Sequence, residues 1–391
     1  MKTPFDGPLM IAAALACITP MAATARGGRL ALATSEADGS VVVVDLETEK
    51  VTKILPTGKV PHAMAIAPGG KIFVSNRGST ELTVINGMAA EVVGTVPLPA
   101  TSFQLAVSPD GKTLAVAYKD ALKLSLVDVS TNAIVKTIEV GKPPEGGFKG
   151  VMMRHPHWST DRKFVYVADT VNKVIAKIDV VKGTVAKILD IDGVNHYLHP
   201  SPDGKLLFAA NEKRGGGTSL TLIDPATDAI VEDLPVSLAD GETPLGHHGA
   251  FIRDGRHFLF CNEGGHHVSV LDVATREWVK TIPTGEGPGH AALSPDGKHF
   301  FIVHHHDSVI TVIDAANLEV VRNVKIGDGH EQSHAAWFTP DGKFFYVVAS
   351  GDNALVKIDV AKMEVSSRMP VGGKSFFFAI KNGESFPVTE F

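Results

Sequence analysis

The sequence predicts an all-β fold, an eight-bladed propeller of four-stranded antiparallel blades, and three observations predict it. The first is one short strand that recurs eight times, at residues 41–45 (VVVVD), 82–86 (LTVIN), 124–128 (LSLVD), 175–179 (IAKID), 220–224 (LTLID), 268–272 (VSVLD), 310–314 (ITVID) and 355–359 (LVKID). The copies stand 41 to 51 residues apart, and periods of that size built from short strands and turns mark propeller blades. The second is a repeated turn, Pro-Asp-Gly-Lys, starting at Pro109, Pro202, Pro295 and Pro340. The third is a mismatch between the ends. Residues 29–56 supply a second, third and fourth strand without a first, and residues 374–380 supply a lone first strand, so joining them closes the ring and leaves no free sheet edge.

Within a repeat the elements follow in order. A first strand such as residues 63–67 leads into the turn, where proline presets the bend and glycine takes the positive φ. A second strand such as residues 72–75 follows, then the recurring third strand ending in Asp or Asn, and a fourth such as residues 134–140 runs out to Gly or Pro. The weakest copy is the one at Ile175, whose turn reads Ser159-Thr160-Asp161-Arg162. Its loss would leave seven blades. Phe73-Val74-Ser75-Asn76 and Tyr166-Val167-Ala168-Asp169, each followed by an alternating strand, resemble the YVTN family of β-propellers over nearly the whole chain after residue 25. The resemblance implies the fold and leaves the activity open, because such propellers host unrelated functions.

Composition narrows the function. A net charge of −6 over 391 residues, with both signs scattered, gives no basic stripe for nucleic acid. Residues 8–22 are apolar and small, and Ala23-Thr24-Ala25 fits a cleavage site. Residues 1–25 are therefore expected to be a signal peptide, residues 26–391 a single propeller domain, and the location periplasmic or secreted. No later stretch is apolar enough to span a bilayer. Beyond the signal peptide Cys261 is the only cysteine, so no intrachain disulfide is expected. Nucleophile elbows, Walker loops, dinucleotide fingerprints and Cys-x-x-Cys-His haem attachment sites are absent from the sequence.

The histidines carry the functional signal. Of 17, ten stand before or early in a first strand: His62, His155, His157, His196, His199, His247, His248, His290, His330 and His334. Five more follow a second strand: His266, His267, His304, His305 and His306. The start of a first strand and the end of a second lie at the same edge of a meander, so all fifteen share one face, and only His257 and His299 occupy the opposite turns. Any one of them suits a loop without a function. The bias between faces does not follow from that.

Neutral imidazole is the commonest protein ligand for zinc and suits copper, iron and nickel. The expected ligands at the channel mouth are His62, His155, His157, His196, His199, His247, His248, His290 and His334. Cys261 with His266, His267, His304, His305 and His306 forms a candidate second, softer site. Glu145, Glu242, Glu286 and Glu331 can add oxygen ligands, and Lys149, Arg154 and Lys374 favour an anionic ligand. Zinc is the expected metal and copper the alternative.

In export, size, fold and histidine content the chain resembles propeller-type zinc metallochaperones that serve metal importers, without their His-rich segment after the signal peptide. That resemblance implies sequestration or delivery of a divalent ion, and a periplasmic metal-transport protein as partner. Architecture and histidine content also resemble the copper propellers of nitrous oxide reductase and thiocyanate dehydrogenase and the haem propeller of cytochrome nitrite reductase. Those imply a metal-dependent periplasmic oxidoreductase with an electron-transfer partner. An envelope scaffold with incidental histidines is the third expectation.

Overall fold

The computed structural model describes residues 28–213, 216–237, 245–329 and 334–382. The proposed signal peptide lies outside these residues, as do His330, Glu242 and Glu331. Among the described residues there are eight sheets, each of four antiparallel strands, and almost no helix. The Ile175 copy forms a full blade, so the ring has eight blades and not seven. No helix among the described residues is long and apolar enough to cross a membrane.

The first blade is assembled from both ends. Leu30–Ser35, Ser40–Asp45 and Lys50–Pro56 run outward from Phe378–Lys381, with Leu30 opposite Lys381 and Ala33 opposite Phe378. Every other blade is one continuous meander. In the second, Pro61–Ile66 is innermost, followed by Lys71–Asn76, Glu81–Asn86 and Glu91–Pro97. The middle strands are buried on both faces, which is why they read as nearly unbroken apolar runs, whereas the outermost strands are largely exposed.

Burial comes from blade against blade. Eight apolar clusters fill the eight seams of the ring. Phe73 and Val84 of the second blade meet Val116 and Tyr118 of the third, and the circle returns to its start where Tyr346 and Leu355 pack on Ala31 and Val42. Cys261 lies fully buried in one of these seams with Val268, Phe300 and Ile302.

The turns behave as the sequence requires. Gly111, Gly204, Gly297 and Gly342 all have φ between +67° and +76°. The preceding hydroxyl bonds the turn aspartate, as Ser108 does to Asp110 at 2.6 Å and Thr339 to Asp341 at 2.6 Å. In the fourth blade Ser159 makes the same bond to Asp161 at 2.7 Å, and Arg162 takes the left-handed position at φ +63°. The turn is conserved in shape and strained in sequence.

A second regularity concerns the innermost strands. Five of them carry an extra residue against their neighbour at the channel rim: between Pro61 and Met64, Ser102 and Leu105, Asn195 and Tyr197, Gly246 and Gly249, and Pro288 and His290. Such bulges bend a strand and re-aim the side chains beside them.

Arg162→Gly should stabilise the protein by about 1 kcal/mol, since glycine escapes the left-handed penalty and only an exposed ion pair with Asp110 is lost. A rise in the urea midpoint at unchanged m-value is the expected result.

Candidate metal centre

The rim bulges place the histidines. His196 is the extra residue of Gly193–Pro200, and His247 and His248 fill the bulge of Gly246–Phe251. In a regular strand consecutive side chains point to opposite faces. Here the His247 and His248 rings instead lie 4.7 Å apart and only 32° from coplanar. His290 follows the bulge of Pro288–Leu293, and His155 precedes the short strand His157–Trp158. His305 enters from the loop after His299–His304.

Two groups of three imidazoles result: His155, His196 and His248, and beside them His247, His290 and His305. Within each group the donor atoms lie within 4.8 Å of one another. The groups touch, with ring centroids 3.8 Å apart for His196 and His247 and 4.2 Å for His248 and His290. His334 borders the second group, its Nδ1 3.3 Å from His290 Nε2 and its ring 4.3 Å from that of His305.

Hydrogen bonds fix which nitrogens face inward. His247 Nδ1 donates to the Gly289 carbonyl at 2.9 Å, which leaves Nε2 as its lone-pair nitrogen, 3.6 Å from Glu263 Oε2. His305 Nδ1 faces Glu263 Oε2 at 3.2 Å, while its Nε2 is buried with no hydrogen-bond partner among the described residues. A metal ligand commonly pairs its second nitrogen with a carbonyl or carboxylate in this way. Arg154 donates to His196 Nδ1 at 2.7 Å, so an ion in the first group takes His196 through Nε2 or displaces the guanidinium.

Six of the rings are held neutral. Burial, followed by the charge of neighbouring groups, depresses His196, His247, His248, His290 and His334 well below the usual histidine range. Burial and then Arg154 push His155 down to about 3. Neutral imidazole is the ligating form.

The remaining sequence candidates separate from these groups. His62 Nδ1 contacts Glu36 at 2.6 Å, with Arg77 on the same carboxylate, and its ring packs among Phe103, Phe376 and Phe377. Burial lowers it to about 4 despite that carboxylate. His199 accepts from the Gly249 N–H at 3.0 Å and packs on Tyr197. His157 falls in neither group, though burial lowers it to about 4.

The structure does not assemble the second cluster. Cys261 is in the apolar seam, and burial raises its thiol far above the usual range. His267 spends both nitrogens, donating to Gly265 O and accepting from Asn262. His304 is likewise bound to Val309 O and Thr311. His266 and His306 are exposed, and His305 belongs to the inner groups.

The sequence reading passed over Glu263. Its buried carboxylate reaches His306 Nε2 at 3.0 Å, His305 Nδ1 at 3.2 Å and His247 Nε2 at 3.6 Å. It follows the second strand of its blade directly, the position that His305 holds one blade later, and the same count by repeat position applied to carboxylates finds it. Gly289 was passed over as well: a Cβ there would stand 2.2 Å from His305 Nε2.

The chain matches the YNCE-like beta-propeller family over residues 29–156 and 242–341, more than half of its length, and belongs to that family. It is 29% identical over 128 residues to the seven-bladed beta-propeller protein Rv1057 of Mycobacterium tuberculosis. That match covers 31% of this chain and 33% of the relative, so the chain spans about a third of the length of the curated protein it matches. Among solved structures it is similar to the dihydro-heme d1 dehydrogenase NirN in complex with DHE, with a TM-score of 0.74 and 21% identity, covering 89% of this chain and 74% of that one. It is also similar to Kuenenia stuttgartiensis hydrazine synthase, with a TM-score of 0.59 and 21% identity, covering 79% and 98%. At that identity both likenesses concern the fold.

Two outcomes follow from the packing of the rings. Histidines whose folded pKa lies below the unfolded value bind fewer protons in the native state, so stability is full above about pH 6.5 and falls as pH drops toward the folded values near 4 and 3. Thermal unfolding of the metal-free protein should show that decline, and a flat profile over this window would contradict the burial. Gly289→Ala should displace the His305 ring and weaken metal affinity by about 10- to 100-fold, measured by chelator competition.

Proposed function

We propose that this member of the YNCE-like propeller family is an exported protein that sequesters or delivers a divalent transition metal through the paired histidine groups at one mouth of its channel. The observation that carries the reading is the meeting of His155, His196 and His248 with His247, His290 and His305, brought together from strands and rim loops of four neighbouring blades. Their donor spread of 4.8 Å is close to the about 3.4 Å between ligands of a tetrahedral ion bound at about 2.1 Å, and small ring rotations close the difference. Zinc is the metal proposed. Neutral imidazoles suit it, three ligands leave a fourth position for water or a carboxylate, and its geometry tolerates a preformed cage. The proposed partner is a metal importer of the envelope.

A second reading, a copper- or haem-dependent periplasmic oxidoreductase, is favoured by one feature. His247 and His248 are consecutive and belong to different groups, so two ions would be near neighbours, as in sites where metals about 3.5–4 Å apart act on one bound molecule. Haem stands beside copper because the architecture resembles that of a haem propeller, and the similar protein NirN is a dihydro-heme d1 dehydrogenase. Its partner would be an electron carrier.

Elemental analysis of protein purified from its own source separates these. Zinc at about one ion per histidine group supports delivery, copper at that level supports redox chemistry, and protein that neither contains nor takes up either metal rejects both. Replacing His247 and His290 together with alanine should empty the second group while circular dichroism of the sheets stays unchanged.

A further inference from the structure

Most ligands of the two groups are buried, and the second group is closed to solvent. His247 and His305 have side chains only 4% and 1% exposed, and His290 is buried too. An ion arriving in water must exchange its waters one at a time, and each exchange is fast only where the next donor is in reach before the last is released. A line of donors leads from solvent to this group. The His306 side chain is 47% exposed, and its Nε2 stands 3.0 Å from Glu263 Oε1. The other oxygen of that carboxylate stands 3.2 Å from His305 Nδ1 and 3.6 Å from His247 Nε2. Glu263 thus presents one oxygen to an exposed ring and the other to two buried ones, and the carboxylate itself is only 6% exposed. The path is shaped by a missing side chain as well, since a Cβ on Gly287 would stand 2.3 Å from His306 Cδ2.

We infer that His306 and Glu263 form a transit site through which a divalent metal ion passes between solvent and the group of His247, His290 and His305. This rests on the metal-binding reading above. The ion first exchanges water for His306 Nε2 and Glu263 Oε1, and any proton held between those two atoms leaves to solvent. Next it exchanges His306 for ligands of the buried group as the carboxylate hands it across. Its charge and electron count stay the same throughout. Once the ion is seated, Glu263 remains as the partner that orients His305.

The other rim histidines on this side do not offer the same route. His267 and His304 have both nitrogens engaged. His266 is exposed, but its Nδ1 is bound to the Gly287 N–H, and it has no contact with Glu263 among the described residues.

The test uses the full metal-free protein with Zn(II) alone. Uptake is followed by stopped flow against a chromophoric chelator, and release into excess EDTA. A residue on the path but outside the final site changes both rates by one factor and leaves the equilibrium alone. His306→Ala should therefore slow uptake and release equally, by about tenfold, the low end of what losing an outer contact of a metal site costs, with zinc content and Kd unchanged. His266→Ala, also exposed but off the path, should change neither rate. Unchanged rates in His306→Ala overturn the inference, and so does a faster release with a weaker Kd, which would make His306 a resident ligand. Equal slowing in His266→Ala also overturns it, by reducing the effect to surface charge. Wild-type protein that takes up no zinc rejects the zinc-delivery reading and the transit site with it.

Discussion

A propeller blade is a wedge, and its narrow end sets everything at the channel. Eight innermost strands must converge on one axis, so whatever side chains stand at their rim are pressed against those of the next blade. Crowding strips water from them before any ligand arrives. That is why burial heads the causes that depress His155, His196, His247, His248 and His290, and why these rings are neutral. The desolvation and ordering that a metal would otherwise impose are already met by the apolar seams, where residues such as Phe260 and Val303 are fully buried. The result is a preorganised set of lone pairs rather than a flexible tail that must be ordered on binding.

The mouth is also lopsided. Imidazoles come from the fourth to eighth blades, whereas the first three contribute Phe103, Phe376 and Phe377, with His62 tied to Glu36 and Arg77 among them. His62 and Phe103 occupy the same rim bulges that hold His196 and His247 elsewhere in the ring. One position of the repeat therefore serves two ends, a histidine wall on one side and an apolar wall on the other. An apolar wall lowers the local dielectric and strengthens every charge interaction across the opening.

The ring was legible because its signals are periodic and redundant: eight strands of one pattern, a turn with a physical reason for each residue, and ends that complete each other. Even the copy with Arg162 in place of glycine kept its blade, because Ser159 and Asp161 still make the turn. The site was legible only in part. The bias of histidines to one face came through, and His155, His196, His247, His248 and His290 stand where that bias placed them. His305 did not, since its loop position suggested an outer cluster while the absence of a side chain at Gly289 lets its ring reach inward. The bulges were hidden, because one additional residue in a repeat of uneven length leaves no mark. Cys261 lies in the seam because a strand buried on both faces gives a thiol nowhere else to go.

The blade built from both ends has a consequence for biosynthesis. Thr34 and Phe377 share a hydrogen bond across 343 positions of sequence, so three early strands wait unfinished until the segment around Phe377 has been made. The axis has no fixed diameter until that late strand docks, and rings from different blades cannot come to rest against one another before then. Any cargo would thus be captured only after the closing strand Phe378–Lys381 has docked, in whichever compartment that happens.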